Sequence, residues 1–335
     1  MKRSEDIKGK KNPATDKKST SVTKKVLILL LKAIAVLAIL GVVFIATVFI
    51  VDKVATKSEQ GKIHSYGQLV PVDGKRMNAV IQGTGEETIV LLPGFGTAAP
   101  ALDFKPLIDE LSPFYKVVVI EPFGYGLSDT TDKERTTENI VSEIHEAVQS
   151  LQIDRYILMA HSISGLYGLE YVNKYENEVS AFVGLDSSVP TLSEQEVSSS
   201  TLGILSLIKK SGFTRLYAKL GDDPYAELPY DEEAKEQMRM LGLKNMLNPS
   251  QLNEIKWMPS NFKGAEQLSF PNKLPVVFFI QANHPVTDRW LPEHEKQAKD
   301  SVYGKVITLE ADHYLYRTEA KEIVEKFRAY MEEIK

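Results

Sequence analysis

Ser162 stands where a serine side chain is suited to nucleophilic attack. It lies in the segment AHSISG (160–165), between the apolar run 155–159 and a segment of helical character. A serine at such a turn presents its hydroxyl above the end of a sheet, and the helix behind it directs backbone N–H groups at a developing oxyanion. Small residues at Ala160 and Ser164 let strand and helix approach each other, although glycine is usual at both positions. The segment predicts a nucleophile elbow, and a serine-rich helix N-cap is the alternative interpretation.

Three other segments have the order and spacing that this chemistry requires. LLPGFG (91–96) ends an apolar strand in a glycine-rich loop, EPFGYGLS (121–128) follows a second strand, and DHY (312–314) follows the last one. Together with AHSISG, these segments resemble the oxyanion loop, the D-x-x-G-x-G-x-S turn, the G-H-S-x-G-G elbow and the closing G-H of the α/β-hydrolase superfamily. Pro93 replaces the usual histidine and Glu121 the usual aspartate. Four ordered motifs are more specific than any one of them.

His313 is the best candidate for the base that takes the serine proton. A neutral serine attacks poorly without such a base, and His313 follows the last apolar strand, 306–309. The order serine, acid, histidine along the chain suits the fold that the motifs resemble. His161 lies beside the nucleophile, and we expect its side chain to point away from the Ser162 hydroxyl. The alternative for His313 is a loop histidine that only forms hydrogen bonds.

The acid that orients this histidine has two candidates. The family usually places it just after the strand that here reads PVVFFI, but Asn283-His284-Pro285 occupies that position and contains no carboxylate. Asp186 ends the preceding strand, 186 − 162 = 24 residues after the serine. We expect Asp186 to be the acid and keep Asp288 as the alternative acid, since the acid must reach the imidazole. Without this role, Asp186 is a polar residue that caps a strand end.

Backbone N–H groups are expected to form the oxyanion hole. Ile163 follows the nucleophile directly, and the second donor should come from the loop 94–97, with Phe95 as the first choice. Pro93 has no N–H and cannot take this role. The alternative is a turn in which the glycines only permit tight geometry.

The residue types present exclude several other kinds of site. The chain has no cysteine, which excludes disulfides, thiol catalysis and cysteine-ligated metals. It has no H-E-x-x-H motif, and His284 and His294 stand ten residues apart in a charged segment. The glycine-rich loop at residue 94 lacks the lysine of a phosphate-binding loop. We therefore expect no metal ion and no cofactor.

The elements that position these residues predict an α/β-hydrolase fold. Strands and helices alternate from 87 to 190, which indicates a mostly parallel sheet with helices on both faces. A hairpin with an Asp73-Gly74 turn precedes them. The predicted organisation is a basic disordered cytoplasmic tail (1–25), a transmembrane helix (26–51), a linker (52–62), an α/β-hydrolase core (63–190 and 266–335) and a helical cap (191–265).

Helical periodicity without a convincing strand marks the cap. Its helices are expected at 202–220, 231–246 and 251–258. The alternative is a separate helical subdomain that does not contact substrate. Four aromatic side chains are candidates to line an acyl pocket, although packing is the default interpretation of each: Phe213, Tyr217, Trp257 and Trp290.

The N-terminal segment has the length and composition of a membrane anchor. Residues 33–51 form an uncharged apolar run of 19 residues, which spans about 28 Å as a helix. Lys32 lies near one end and can extend towards the interface. A cleaved signal peptide is the alternative, but its apolar region would be shorter, and Val54-Ala55-Thr56 is a poor cleavage site.

The charge distribution indicates the orientation. Residues 1–25 carry nine Lys/Arg and three acids, so their net charge is 9 − 3 = +6, and the positive-inside rule keeps them in the cytoplasm. From residue 33 onward, 30 bases face 42 acids, a net charge of 30 − 42 = −12. This acidic domain, expected outside the cytoplasm, argues against nucleic acid or anionic lipid as a substrate.

The sequence thus predicts a membrane-anchored serine hydrolase of the carboxylic-ester class. Its expected partners are a small-molecule ester, with a short acyl or lipid-like group, and the lipid bilayer; the sequence carries no indication of an oligomeric state. The alternative is a non-catalytic or regulatory binding protein on the same fold. Lyase or peroxide chemistry on this fold is a third possibility.

Overall fold

The computed structural model describes residues 14–192, 196–285 and 287–334, and for 14–23 it describes the backbone alone. The strands are β1 (Gln68–Val72), β2 (Lys75–Gln82), β3 (Thr88–Leu92), β4 (Lys116–Glu121), β5 (Tyr156–His161), β6 (Val179–Leu185), β7 (Val276–Gln281) and β8 (Lys305–Leu309). They form one sheet in the order β1-β2-β4-β3-β5-β6-β7-β8.

The helices lie between and around these strands. They are α1 (Ala14–Gln60), α2 (Pro100–Asp103), α3 (Lys105–Leu111), α4 (Thr137–Ser150), α5 (Ser164–Lys174), α6 (Ser199–Lys210), α7 (Phe213–Leu220), α8 (Glu232–Asn245), α9 (Pro249–Ala265), α10 (Trp290–Ala298) and α11 (Ala320–Glu333), with a short 3₁₀ turn at Leu315–Arg317.

Both faces of the sheet are covered, as expected for this fold class. β2 runs antiparallel to β1 and β4, and the other neighbouring strands are parallel. One core cluster joins the sheet to α4, α5, α9 and α10, and a second joins it to α3 and α11. Strands buried on both faces read as continuous apolar runs, such as VVFFI in β7. The predicted α/β-hydrolase fold is confirmed.

The predicted hairpin at the start of the domain is also present. β1 pairs with β2 through the turn at Asp73 and Gly74, whose φ angles are +48° and +71°. Two positive φ angles are the requirement of the tight hairpin turn that Asp-Gly favours.

The sheet register brings the carboxyl ends of three strands to one edge. His161, the last residue of β5, pairs with Leu185 at the end of β6, and Leu185 pairs with Phe279 in β7. Ser162 and Asp186 each follow one residue later, so they leave the sheet side by side. The strand order reverses around β3, and ligand sites in open α/β sheets lie at such reversals.

Four helices lie in the described part of the predicted cap, and they differ from the three expected mainly by one division and one extension. The helix predicted over 202–220 is divided at Gly212, whose φ of +84° interrupts the helical backbone. α9 continues beyond the expected end at residue 258 to Ala265, through Pro259. Asn261 explains the continuation, because its buried side chain accepts from Thr137 N–H at 3.0 Å and donates to the Arg135 carbonyl at 2.9 Å.

The N-terminal helix is longer than the predicted span. α1 runs from Ala14 to Gln60, so the expected linker is helical through residue 60 and the expected tail is helical from residue 14. The part of the predicted tail at 1–13 lies outside the described residues. Within the described part of the chain, one helix is long and apolar enough to cross a membrane, a test that N-terminal signal sequences also pass.

Candidate active site

Ser162 sits at a tight turn between β5 and α5. Its φ is +53°, a conformation that costs a non-glycine residue about 1–3 kcal/mol. Three backbone hydrogen bonds hold it there: its N–H donates to the Leu185 carbonyl at 3.3 Å, and its carbonyl accepts from Gly165 and Ser188, each at 2.8 Å. The turn is thereby tied to the end of the neighbouring strand.

The two departures from a glycine-flanked elbow are accommodated by packing. Ala160 is fully buried, and the buried Ser164 donates its hydroxyl to the Pro93 carbonyl at 2.5 Å. Gly165 has no room for a side chain, because a Cβ there would lie 2.7 Å from Ser187 Cβ. The Ser164 hydroxyl therefore fastens the elbow to the loop that begins at Pro93, which a glycine could not do.

Ser162, His313 and Asp186 form one hydrogen-bonded chain. His313 Nε2 lies 2.9 Å from Ser162 Oγ, and His313 Nδ1 lies 2.7 Å from Asp186 Oδ2. An ionised carboxylate only accepts, so Nδ1 carries the proton and Nε2 is left as an acceptor for the serine hydroxyl. The structure thus brings together the three residues that the sequence named first.

Asp186 is held as a carboxylate although it is fully buried. Its Oδ1 accepts from Gln281 N–H at 3.0 Å and Trp290 Nε1–H at 2.8 Å, and its Oδ2 also accepts from Gln281 Nε2 at 2.7 Å. Burial alone raises the pKa of this carboxyl, but the hydrogen bonds from His313, Gln281 and Trp290 outweigh it, so the pKa lies below its usual value.

Gln281 and Trp290 are site residues that the sequence did not reveal. The sequence indicates Trp290 only as a candidate acyl-pocket aromatic, and it gives Gln281 no role. Both reach Asp186 across about a hundred residues of chain, so no local pattern links them to it. A polar residue ending the apolar run VVFFI was the one available signal for Gln281.

Asp288, the alternative acid, lies on the surface, and within the described residues the acid bonded to His313 is Asp186. His284 occupies the position where the resemblance placed a carboxylate. Its ring stacks on Trp290 with centroids 4.4 Å apart, and its Nδ1 accepts from Thr287 N–H at 3.2 Å. Burial lowers the pKa of His284, which favours its neutral form.

The His161 side chain points away from the Ser162 hydroxyl, as expected, and contacts the loop that carries His313. Its buried Nε2–H donates to the His313 carbonyl at 3.0 Å, and its ring packs edge-on against Tyr316 at 4.9 Å. Burial first, and the neighbouring His313 second, lower the pKa of His161 to about 3. A neutral ring at this position fixes the backbone of His313 without placing a second cation beside it.

The loop 93–97 lies against the elbow. A Cβ on Gly94 would stand 2.6 Å from His161 Nδ1 and 2.9 Å from Ser162 Cβ, so only glycine fits. Gly96 has a φ of +76°, a left-handed backbone conformation that lets the loop change direction. Among the described residues, neither Phe95 N–H nor Ile163 N–H donates to another group of the protein. Both expected oxyanion donors are therefore unoccupied.

Glu121 holds the turn EPFGYGLS beneath the cap. Its fully buried carboxyl accepts from Asn78 Nδ2 at 2.9 Å, Leu127 N–H at 2.9 Å and Tyr66 Oη at 3.0 Å. Burial raises its pKa above the usual value despite these bonds. The glutamate thus takes a structural position in a motif where aspartate is usual.

A cavity of about 800 Å³ opens above Ser162 and His313. Its apolar lining comes from Val189, Leu192, Phe262, Pro285 and Trp290, and its polar lining includes Ser188, Thr191, Gln281, Thr287, Arg289 and Asp312. Of the four aromatic residues considered for an acyl pocket, Trp290 lines this cavity. Within the described residues, no group of three or more His, Cys, Asp or Glu side chains is arranged to hold a metal ion.

Comparison with known proteins agrees with this architecture. A family model described as the alpha/beta hydrolase fold matches residues 87–288, more than half of the chain. The uncharacterized protein YbdG of Bacillus subtilis is 28% identical over 251 residues, which cover 72% of this chain and 76% of that protein.

Two solved structures illustrate the fold. The esterase EaEST from Exiguobacterium antarcticum superposes with a TM-score of 0.61 at 16% identity, covering 79% of this chain and 99% of the esterase. Epoxide hydrolase VrEH1 from Vigna radiata gives 0.57 at 18% identity, covering 79% and 97%. At such identities the likeness is one of fold.

Proposed function

This chain belongs to the α/β-hydrolase family, and on that premise we propose that it is a membrane-anchored serine hydrolase that cleaves esters through an acyl-enzyme. One observation carries the proposal: Ser162 Oγ, His313 and Asp186 are joined by hydrogen bonds of 2.9 and 2.7 Å in the order that a catalytic triad requires.

In the acylation half-reaction, Ser162 Oγ attacks the ester carbonyl carbon. His313 Nε2 accepts the serine proton, and the ionised Asp186 stabilises the resulting imidazolium. The carbonyl oxygen becomes an oxyanion, for which Phe95 N–H and Ile163 N–H are the available donors. The bond between the carbonyl carbon and the alcohol oxygen then breaks while His313 donates its proton to that oxygen. The alcohol leaves, and the acyl group stays on Ser162.

Deacylation repeats these steps with water. His313 Nε2 takes a proton from a water molecule, whose oxygen attacks the acyl carbonyl carbon. The second tetrahedral intermediate collapses when His313 protonates Ser162 Oγ. The acid product leaves, and the hydrogen-bonded chain from Ser162 to Asp186 is restored.

The cavity supports an acyl ester as substrate class. Its volume of about 800 Å³ accommodates a small molecule, and Val189, Leu192 and Phe262 provide an apolar wall for an acyl chain. An alcohol leaves a tetrahedral intermediate more readily than an amide nitrogen, which must first be protonated. An ester is therefore favoured over a peptide.

The N-terminal helix supports an anchored enzyme whose N-terminus is cytoplasmic and whose hydrolase domain is extracytoplasmic. Its apolar side chains are exposed, as at Leu37 and Val42, each of which is 67% exposed. A contiguous exposed apolar surface is typical of membrane contact. Asp52 and Glu59, beyond the apolar run, form ion pairs with Arg215 of the cap. Retention of this helix, rather than cleavage as a signal peptide, fits those contacts.

The proposal is tested by ester hydrolysis with the full-length chain in detergent. Wild type should hydrolyse p-nitrophenyl acyl esters, and Ser162→Ala should reduce kcat/KM on the order of 10⁴- to 10⁶-fold. Ser188→Ala is the matched control, because Ser188 lines the same cavity and should retain activity. A folded wild-type protein that turns over no ester would favour the non-catalytic binding protein instead.

A further inference from the structure

Helices α6 and α7 of the cap expose large apolar side chains. Ile204 and Leu207 on α6 are 59% and 66% exposed, and Tyr217 and Leu220 on α7 are 78% and 79% exposed. No residue of α6 is buried. We call these four side chains the apolar cap surface. Apart from α1, the described chain has one other large apolar side chain exposed by more than half, Val302 at 64%. The apolar cap surface is thus a local feature.

This surface adjoins the apolar part of α1. The ring of Phe213, the first residue of α7, lies 6.2 Å from the ring of Phe44. Phe44 is seven residues before Val51, the end of the uncharged run, which corresponds to about 10 Å along a helix axis. If α1 crosses a bilayer, α7 therefore begins at the depth of apolar lipid or close to it.

The contact between the two helices is fixed by close packing and charge. A Cβ on Gly212 would stand 2.6 Å from Asp52 Cβ, so the chain turns directly against α1. The buried Arg215 then binds Glu59 through two nitrogen atoms, at 2.5 and 2.7 Å, and Asp52 at 3.2 Å. A bidentate ion pair holds geometry as well as charge. α7 cannot move away from α1 without breaking this pair.

We infer that the apolar cap surface enters the lipid bilayer beside α1, so that the cap rests in the membrane interface. The inference rests on the proposed membrane anchor. Tyrosine is enriched at membrane interfaces, which suits Tyr217. The exposed Lys210 and Lys219 flank the apolar positions and are suited to contact lipid phosphates. A second copy of the chain is a poorer occupant, because Phe213 would remain beside the lipid-facing part of α1.

The absence of native cysteine permits a direct measurement of depth. The full chain, with single substitutions Leu207→Cys or Leu220→Cys, is labelled with bimane and reconstituted in phosphatidylcholine vesicles that contain nitroxide-bearing lipid. Leu40→Cys in α1 reports the anchor. Val302→Cys is the matched control, since it is similarly exposed and precedes β8, at the end of the sheet away from the cap.

The expected result is a loss of emission at positions 207 and 220 comparable to that at position 40, and none at position 302. Quenching at 40 without quenching at 207 and 220 overturns this inference and leaves the anchor intact. No quenching at 40 overturns the anchor, and this inference with it. A third outcome is emission at positions 207 and 220 that changes when the number of protein molecules per vesicle is lowered, but does not change with nitroxide lipid. This outcome identifies a second copy of the chain as the occupant and also overturns the inference.

Discussion

At the scale of single residues, the proposed mechanism depends on a buried carboxylate that stays ionised. The pKa of Asp186 is lowered because hydrogen bonds from His313, Gln281 and Trp290 outweigh the effect of burial. A depressed pKa stabilises the folded state above the unfolded value of about 3.9. This contribution is lost as the pH falls from there through the folded-state pKa.

The first prediction concerns this carboxylate. Asp186→Asn places an amide where His313 Nδ1–H needs an acceptor, and it favours the wrong tautomer. We expect kcat to fall by up to about 10⁴-fold, as in other triads. Asp288→Asn is the control, because this side chain is exposed, and its activity should stay within about tenfold of wild type. If Asp288→Asn lost activity and Asp186→Asn did not, and both variants kept the melting temperature of wild type, the acid would lie after β7.

The second prediction concerns the loop that carries the proposed oxyanion donor. In Gly94→Ala, the new methyl group would stand 2.6 Å from His161 Nδ1 and 2.9 Å from Ser162 Cβ, so the loop must move. Displacing Phe95 N–H should lower kcat by about 10²- to 10³-fold. Gly264→Ala is the control, since a Cβ there meets nothing within 4 Å. Equal activities for the two variants would refute the placement of this donor.

The sequence predicted that Ser162, His313 and Asp186 would lie together, because each follows the end of a strand. It could not reveal Gln281 and Trp290, since their contacts with Asp186 arise from the packing of β7 and α10 onto β6. It also offered Asp288 as an alternative, because position along the chain does not show that this side chain faces solvent.

At the scale of helices and strands, a buried glutamate couples the cap to the core. Glu254 on α9 accepts from Tyr125 Oη at 2.8 Å and from Tyr167 Oη at 2.7 Å. Tyr167 belongs to α5, the helix that follows Ser162, and Tyr125 belongs to the turn 121–128. Burial raises the pKa of Glu254 above its ordinary 4.5, although Arg135 and the two tyrosines oppose this shift.

The third prediction follows from that shift. A carboxyl with a raised folded-state pKa stabilises the fold fully below its unfolded pKa, and the contribution is lost as the pH rises through the folded-state value. The unfolding free energy of wild type should therefore fall relative to that of Glu254→Gln as the pH rises above about 4.5. Urea unfolding at several pH values measures this difference. The exposed Glu110→Gln is the control, and a difference for Glu254→Gln that does not vary with pH would contradict the prediction.

Periodicity located the cap helices but not all of their ends. The break at Gly212 depends on the close approach of α1, and the continuation of α9 through Pro259 depends on the tertiary hydrogen bonds of Asn261. α10 was not foreseen. Trp290 begins it, and the ring nitrogens of the buried His294 lie 2.8 Å from the carbonyl oxygens of Trp290 in the same helix and of Ser187 after β6. These features are decided by packing, which a local pattern does not contain.

At the scale of the whole molecule, charge and apolar length define the proposed orientation. The N-terminal 25 residues have a net charge of 9 − 3 = +6, and the chain from residue 33 has 30 − 42 = −12. The fourth prediction is that protease added to intact cells degrades the hydrolase domain and spares an N-terminal tag. A tag placed at the C-terminus is the control, because its loss shows that the protease reached the outer side of the membrane. Protection of the hydrolase domain until the cells are lysed would reverse the orientation.

The central claim is that Ser162 is an activated nucleophile, and covalent labelling tests it most directly. The fifth prediction is that the full-length chain, treated with a fluorophosphonate probe, gains one phosphonyl group, which peptide mass spectrometry locates on Ser162. Heat-denatured protein and Ser162→Ala should remain unlabelled, whereas Ser188→Ala should be labelled. An adduct on another serine, or a folded wild-type chain that takes up no probe, would contradict the account.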